Sequence, residues 1–423
     1  MVTQVEFDPA AFSLSNPDLI ADPYPAYALM RSADPIHRSA MYGGSWVLFA
    51  YEDVAALLCD PRLTNNRATL PLKALPAGQR AEFADIVPVL DNWVAFFDGS
   101  RHWMRRRHMN QVCDLFTKDV LTRVIQESID MLLDRWNGRH DVIADFARPL
   151  PAIVITRLLG SPWEDHEKLA AWSDRIAYLF GASALTVDDL RAGQAALHAF
   201  ASYLREQAHE AMCTGATTMV TRMTSETTRE FSFTVEEACA QAMLLMFAGV
   251  EPTRYLIGNA VHALDASPRQ RRLVTFSERT RAIAVEEFLR HGTPVQYIGR
   301  MAAEDFTYKG HRIEAGQPVL LYVGSANRDA AQFPDPEVLD LTRRPNLHLA
   351  LGKGPHNCIG AFLVRVQTAM ALHSLLTRFP DLRVVKETAP ISNTNLGFHG
   401  FNSLTVDTSA QRPDDQVGLD AAL

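Results

Sequence analysis

The chain has 423 residues, with 41 basic against 49 acidic side chains and a formal net charge of −8. That balance argues against general nucleic-acid binding, which needs a basic footprint, and 47% hydrophobic with 21% charged residues excludes a largely disordered chain. The polar, acidic start from Met1 to Asp8 lacks the apolar stretch of a signal peptide. The longest apolar run, Ala242 to Val250, falls far short of the ~20 residues that cross a bilayer, so a cytoplasmic protein with no membrane partner is expected.

In chain order, Asp22-Pro23-Tyr24-Pro25 predicts a helix entry leading into a helix over Ala28 to Ser32, its prolines lying where a missing N–H costs least. Trp46 to Ala50 is β-rich and predicts a strand, and Asp53 to Cys59 a short helix. Thr69 to Arg80 mixes proline, lysine and glycine and predicts a long mobile loop. The pattern is then mostly helical to about Arg290, including a helix opened by the capping box Thr234-Val235-Glu236-Glu237. Val319 to Val323 predicts a strand, Phe333 to Leu351 irregular structure, and Ile359 to Arg378 a helix stopped by Pro380. A frayed polar tail is expected after Ser409. The predicted class is mainly α (α+β), a helix-rich core with small β-sheets. No Pro/Ser/Gly linker divides residues 1–423, which are read as one domain.

Cys59, Cys113, Cys213, Cys239 and Cys358 are scattered, with no C-x-x-C pair, so neither a disulfide framework nor a structural zinc site is expected. Cys358 stands apart, in Gly352-Lys353-Gly354-Pro355-His356-Asn357-Cys358-Ile359-Gly360. A cysteine at the mouth of a helix gains from the helix N-terminus, which lowers a thiol pKa. The glycines before it permit a tight turn, and Gly360 permits close backbone approach. A thiolate held this way suits ligation of a haem iron. The other four cysteines read as inert and buried.

This loop resembles the haem-binding signature of the cytochrome P-450 family. Leu351 stands where the motif has phenylalanine. Glu287-Phe288-Leu289-Arg290 resembles the family's E-x-x-R pair, Ala248-Gly249-Val250-Glu251 its oxygen-side helix motif, and His102-Trp103-Met104-Arg105-Arg106 its H-x-x-x-R haem-propionate motif. The resemblance to soluble bacterial members spans nearly the whole chain. It implies the P-450 fold, haem b with Cys358 as iron ligand, and His102, Arg106, Arg300 and His356 as propionate partners beside Gly352 and Gly360. It also implies a Glu287–Arg290 lock between a helix and the loop before the cysteine.

Ala248 and Gly249 are small enough to let a flat cofactor approach, and Pro252 cannot donate to the carbonyl of Ala248, so a kink is expected there. The family usually has threonine directly after the acid, where its hydroxyl helps deliver protons during oxygen activation. Here Glu251 is followed by Pro252, and the hydroxyl comes at Thr253, about 100° further round the helix. Glu251 and Thr253, with Ala248 and Gly249, are the candidate catalytic positions. Substrate contacts are expected from Thr69 to Phe97, Pro294 to Tyr297 and Leu396 to Phe398, with Trp93, Phe96, Phe97, Tyr297 and Phe398 as an aromatic pocket and Gln296 and Asn395 as polar contacts.

The expected activity is haem-thiolate oxidation of a small aromatic natural product, by oxidative coupling or monooxygenation, with electrons from ferredoxin and ferredoxin reductase. A tryptophan- or tyrosine-bearing cyclic dipeptide is one example of such a substrate. Lys353, Arg343, Arg344, Arg365 and Arg105 are the expected docking patch for an acidic ferredoxin. The alternatives are a non-redox haem enzyme that rearranges a peroxide or dehydrates its substrate, and a haem-binding sensor.

Overall fold

Thr234 starts the longest helix, Val235–Ala266, through a complete capping box: its hydroxyl accepts from the Glu237 N–H at 3.1 Å, and the Glu237 carboxylate accepts from the Thr234 N–H at 3.0 Å. Apolar residues surround this helix, so it is buried along most of its length. Helices Pro149–Leu159, His166–Gly181, Val187–Thr214 and Ala361–Arg378 pack around it. Pro252 sits inside the helix, which continues on both sides of it. The computed structural model describes residues 20–409 apart from 74, 76, 115, 182–184 and 226–230. The expected polar start and frayed tail lie outside the described residues. Among the described residues no helix is long and apolar enough to cross a membrane.

A five-stranded sheet joins the two ends of the chain, in the order Ile36–Ser39, Ser45–Leu48, Pro318–Leu321, Ile298–Ala302, Leu63–Thr64. Ser45–Leu48 runs parallel to Pro318–Leu321, with Leu48 opposite Leu321. Ile298–Ala302 lies antiparallel to both neighbours, setting Arg300 opposite Val319 and Met301 opposite Thr64. The strand carrying Arg300 is thereby held beside the segment that leads to Phe97. Smaller two- and three-stranded sheets flank the helices, and the class is the helix-rich α+β arrangement expected.

Most predicted elements are present with shifted ends. The first helix is Tyr24–Ala33, the strand Ser45–Leu48, the short helix Tyr51–Leu57 and the last long helix Ala361–Arg378. Thr69 to Arg80 differs from the mobile loop expected: a 3₁₀ turn at Leu70–Leu72 and a helical turn at Ala77–Arg80 occupy it. Leu70, Leu72 and Leu75 are buried, and their burial anchors a segment whose proline and glycine suggest freedom.

Candidate active site

The turn before the Ala361–Arg378 helix closes on itself. The Cys358 N–H donates to the Leu351 carbonyl at 2.8 Å, and the Asn357 N–H to the Gly354 carbonyl at 3.0 Å. Gly352 and Gly354 take φ of 72° and 76°, values that residues with a β-carbon rarely adopt. The Gly360 N–H is directed at the Cys358 sulfur. Burial raises the free Cys358 thiol, against the pull of that N–H and the charges of Arg106 and Arg365. The lowered thiol expected from the helix N-terminus is therefore reversed by desolvation. A coordinated metal ion would restore the thiolate, because a ligating thiol is deprotonated outright.

The segment before this turn is held by Glu287 and Arg290, both fully buried. Arg290 grips Glu287 with two hydrogen bonds, of 2.7 and 2.8 Å, and its remaining donors reach the carbonyls of Asn327, Pro336 and Val338. Glu287 also accepts from the Asp340 N–H, Arg343 and Asn346. Neither charge is left unpaired, as a buried pair requires. The pair ties the Glu278–His291 helix to the irregular stretch Phe333 to Leu351.

Basic groups converge on the cysteine turn. The rings of His102 and His356 stack with centroids 3.8 Å apart. Burial, then the neighbouring charges of His356 and Arg106, lowers His102 to about 4, and burial also lowers His356. Arg106 donates to the Asn357 carbonyl at 2.7 Å. Arg300 is buried, donates to the Gly299 carbonyl at 3.0 Å, and is lowered by desolvation to about 10. The nearby carboxylate, Asp98, is already engaged by Thr64, Asn65 and His356. Buried Arg300 and half-buried Arg106 call for anionic partners, the two imidazoles offer neutral N–H donors, and the two propionates of a haem meet both. The donor set, with a buried thiol in the turn beside it, fits haem.

On the long helix, Glu251 is turned towards charge on neighbouring elements. Arg254 lies 3.0 Å from Glu251 and 3.4 Å from Asp174, and Arg148 lies 2.7 Å from Asp174. Burial raises the Glu251 carboxyl well above its usual range, the charge of Arg254 opposes this, and Asp174 adds to it. Burial acts the same way on Asp174, but hydrogen bonding with Glu251 and the charges of Arg254 and Arg148 prevail and lower it. Glu251 therefore holds the proton between the two carboxyls. Side-chain exposure rises from 3% at Glu251 through 12% at Arg254 to 32% at Asp174 and 35% at Arg148, so the string leads from core to surface. Thr253 is buried. Ala248 is exposed at mid-helix, between buried Met246 and buried Val250. A β-carbon on Gly249 would meet Ile155 Cδ1 at 3.0 Å, so close helix packing already accounts for this glycine.

The five aromatics do not share one pocket. Trp93 and Phe96 join Phe180 and Phe247: Trp93 stacks on Phe247 at 5.5 Å and lies 5.6 Å from Phe96 and 5.8 Å from Phe180. Tyr297 donates its hydroxyl to the Phe180 carbonyl at 2.8 Å. Phe97 instead carries the guanidinium groups of Arg101 and Arg105, each at 4.7 Å, and Phe398 stacks on Tyr255. Gln296 is bonded to Tyr27 and the Thr293 carbonyl, and Asn395 to the Gly397 N–H and the Ala177 carbonyl. Both amides serve the fold.

The expected docking patch is also divided. Arg105 pairs with Glu237, Arg343 with Glu287 and Arg365 with Glu286, while Lys353 and Arg344 are exposed. Sequence reasoning missed Arg67, Asp98, Asp174 and Arg254. Arg67 and Asp98 reach the Arg300 side, and Asp174 reaches Arg254, only through tertiary approach. Arg254 had a signal, since it stands three residues after Glu251, the same spacing as Glu287 and Arg290.

A family model described as Cytochrome P450 matches residues 282–402. The chain is 32% identical over 384 residues to the biotin biosynthesis cytochrome P450 of Bacillus subtilis (strain 168), covering 88% of this chain and 93% of that protein. It is 35% identical over 367 residues to the vitamin D(3) 25-hydroxylase of Pseudonocardia autotrophica, covering 85% and 87%. A crystal structure of a P450 in complex with an acyl carrier protein bearing hexadec-9Z-enoic acid superposes with a TM-score of 0.81 at 28% identity, covering 92% of this chain and 99% of that one. The fold is thus that of a haem-dependent oxidoreductase. The chain belongs to the cytochrome P450 family, and its cofactor is haem.

Proposed function

We propose that this enzyme oxidises a small aromatic natural product, with Cys358 as iron ligand and electrons delivered by ferredoxin and its reductase. Haem with a cysteine thiolate ligand supplies reductive oxygen activation. Arg106, Arg300 and His356, with His102 behind His356, hold the propionates by charge and hydrogen bonding. Glu251 carries a proton inside the long helix, and Arg254, Asp174 and Arg148 link it to the surface. Pro252 has no N–H for the Ala248 carbonyl, which is left to anchor a water or a substrate group. Hydrogen or electron abstraction followed by coupling or ring closure is therefore favoured over hydroxylation of an unactivated carbon. On this reading residues 1–423 act as one domain in the cytoplasm.

The observation that carries the reading is the cluster of Trp93, Phe96, Phe180 and Phe247, four rings drawn from three separate segments. Such a wall favours offset or edge contact with another aromatic ring. The relatives named for biotin biosynthesis and vitamin D(3) hydroxylation, and the neighbour holding a carrier-bound acyl chain, support a small-molecule or carrier-borne substrate. Lys353 and Arg344 are the remaining exposed candidates of the patch for an acidic ferredoxin.

The test is a substrate-induced spin-shift screen of aromatic natural products, cyclic dipeptides of tryptophan and tyrosine among them, followed by turnover with ferredoxin and reductase. A shift with ferredoxin-dependent consumption is expected. Consumption without external electrons would favour peroxide rearrangement or dehydration, and haem binding with no turnover of any shifting compound would favour a sensor.

A further inference from the structure

Arg67 is a cation placed over the Phe96 ring with no ion-pair partner among the described residues. Its guanidinium lies 4.8 Å from the Phe96 ring centroid. Among the described residues its side-chain hydrogen bond is one long contact, 3.4 Å to Asn65 Oδ1. Its stem runs along the strand that carries Arg300, with Cδ 3.5 Å from where a β-carbon on Gly299 would stand. Burial lowers Arg67 to about 9, and the like charge of Arg300 acts in the same direction. Asp98 is the nearby acid, and Thr64, Asn65 and His356 already occupy its oxygens. Arg67 is half-buried, and a guanidinium has five N–H donors, so most of its bonding capacity is open to a ligand.

We propose that Arg67 binds the carboxylate of the substrate, which makes the substrate an aromatic carboxylic acid. The inference rests on the reading above, in which the aromatic wall is the substrate wall. Donor counting favours a substrate acid over a haem propionate. Arg106 and Arg300 already match two propionates, and Asp98, the nearby acid, gives Arg67 no hydrogen bond or ion pair among the described residues, so its donors stay open to a ligand. A second orphan stands in the same wall: the Trp93 indole N–H is buried with no hydrogen-bond partner among the described residues, and its ring lies 5.6 Å from Phe96, which Arg67 also touches. A guanidinium and an indole N–H are both donors that a carboxylate accepts from.

The test uses haem-loaded enzyme titrated with arylalkanoic acids, such as 3-phenylpropionate and indole-3-propionate, each against its methyl ester. Binding is read from the spin-state shift. Wild type is expected to prefer the acid, and Arg67→Gln to weaken the acid by about tenfold or more, the loss expected for a charge-assisted hydrogen bond, with the ester unaffected. Arg67→Lys keeps the charge and is expected to retain part of the preference. Haem release to an acceptor protein is measured alongside. Faster haem loss from Arg67→Gln with an unchanged acid preference would assign Arg67 to a propionate and overturn the proposal. So would a wild type with no acid preference. A wild type lacking the thiolate Soret band of the reduced carbonyl complex would instead overturn the assignment of Cys358, a separate failure.

Discussion

In the proposed relay, Glu251 and Thr253 divide the work differently from the acid–hydroxyl order of the family. Glu251 is buried, protonated by its surroundings, and wired to Arg254 and Asp174, whereas Thr253 stands beyond Pro252. Replacing Glu251 with Gln preserves shape and removes the transferable proton. Turnover of Glu251→Gln should fall about a hundredfold, within the usual range for general acid–base groups. Thr253→Ala should leave product formation, and the fraction of electrons recovered as product, nearly unchanged. The paired assay is product formed per NAD(P)H consumed, with peroxide measured. Peroxide release by Thr253→Ala, together with oxygen from labelled O₂ in the wild-type product, would show that Thr253 serves the ordinary relay and that the enzyme hydroxylates.

Among the elements, the long helix sets the site through its spacing from its neighbours. Gly249 lets it approach the Pro149–Leu159 helix, because a β-carbon there would press on Ile155 Cδ1 at 3.0 Å. Gly249→Ala gains about 1 kcal/mol of helix propensity but overpacks this contact, an effect of about 1–3 kcal/mol. The variant should therefore unfold at lower urea than wild type, and adding Ile155→Val, which removes Cδ1 but leaves Cγ1 at 3.1 Å from the new β-carbon, should recover only part of the loss. Equal midpoints for Gly249→Ala and wild type would refute the packing account. This glycine also marks a limit of reading from sequence. Ala248-Gly249 reads as a cofactor-facing pair, yet only the packed helices show that Gly249 serves Ile155 while Ala248 is the exposed member. The capping box at Thr234, the cysteine turn and the Glu287–Arg290 pair were legible because their partners lie within a few residues or in a fixed motif. Arg105 and Arg343 are largely covered by Glu237 and Glu287, partners distant in sequence, whereas Arg365 pairs with Glu286 and keeps 40% of its side chain exposed. Arg67 carries no local signal at all, and its meaning comes from the strand pairing that sets it beside Gly299.

For the molecule as a whole, half-buried histidines whose charged form is disfavoured set the response to acid. His291 is lowered to about 3 and His399 to about 4, by burial first and then by the charge of Arg328. Unfolded histidine titrates near 6.5, so below that pH the unfolded chain takes up protons that the folded chain refuses. The stability tied to these residues is complete above pH 6.5 and is lost as pH falls towards 4 and 3. Glu286 adds to the loss lower down: hydrogen bonds from Arg365 and His348 overcome its burial and hold it at about 2. Glu251, raised by burial, acts in the opposite sense, its contribution lost as pH rises. With these groups opposing one another, the unfolding free energy from urea titration should still fall between pH 7 and pH 5, by about 1 kcal/mol per pH unit below 6.5 for each histidine, and the urea midpoint with it. A midpoint that holds or rises on acidification would contradict this balance.

The central claim joins all three scales: the turn formed by Gly352, Gly354 and Gly360, fixed through Glu287 and Arg290 and surrounded by basic groups, presents Cys358 as the ligand of haem iron. The most direct measurement is the absorption spectrum of the reduced carbonyl complex, for wild type and Cys358→Ala loaded with haem in parallel. Wild type should show the red-shifted Soret band of thiolate ligation, and Cys358→Ala should lose it. A Cys358→Ala protein that kept the red-shifted band would contradict the account.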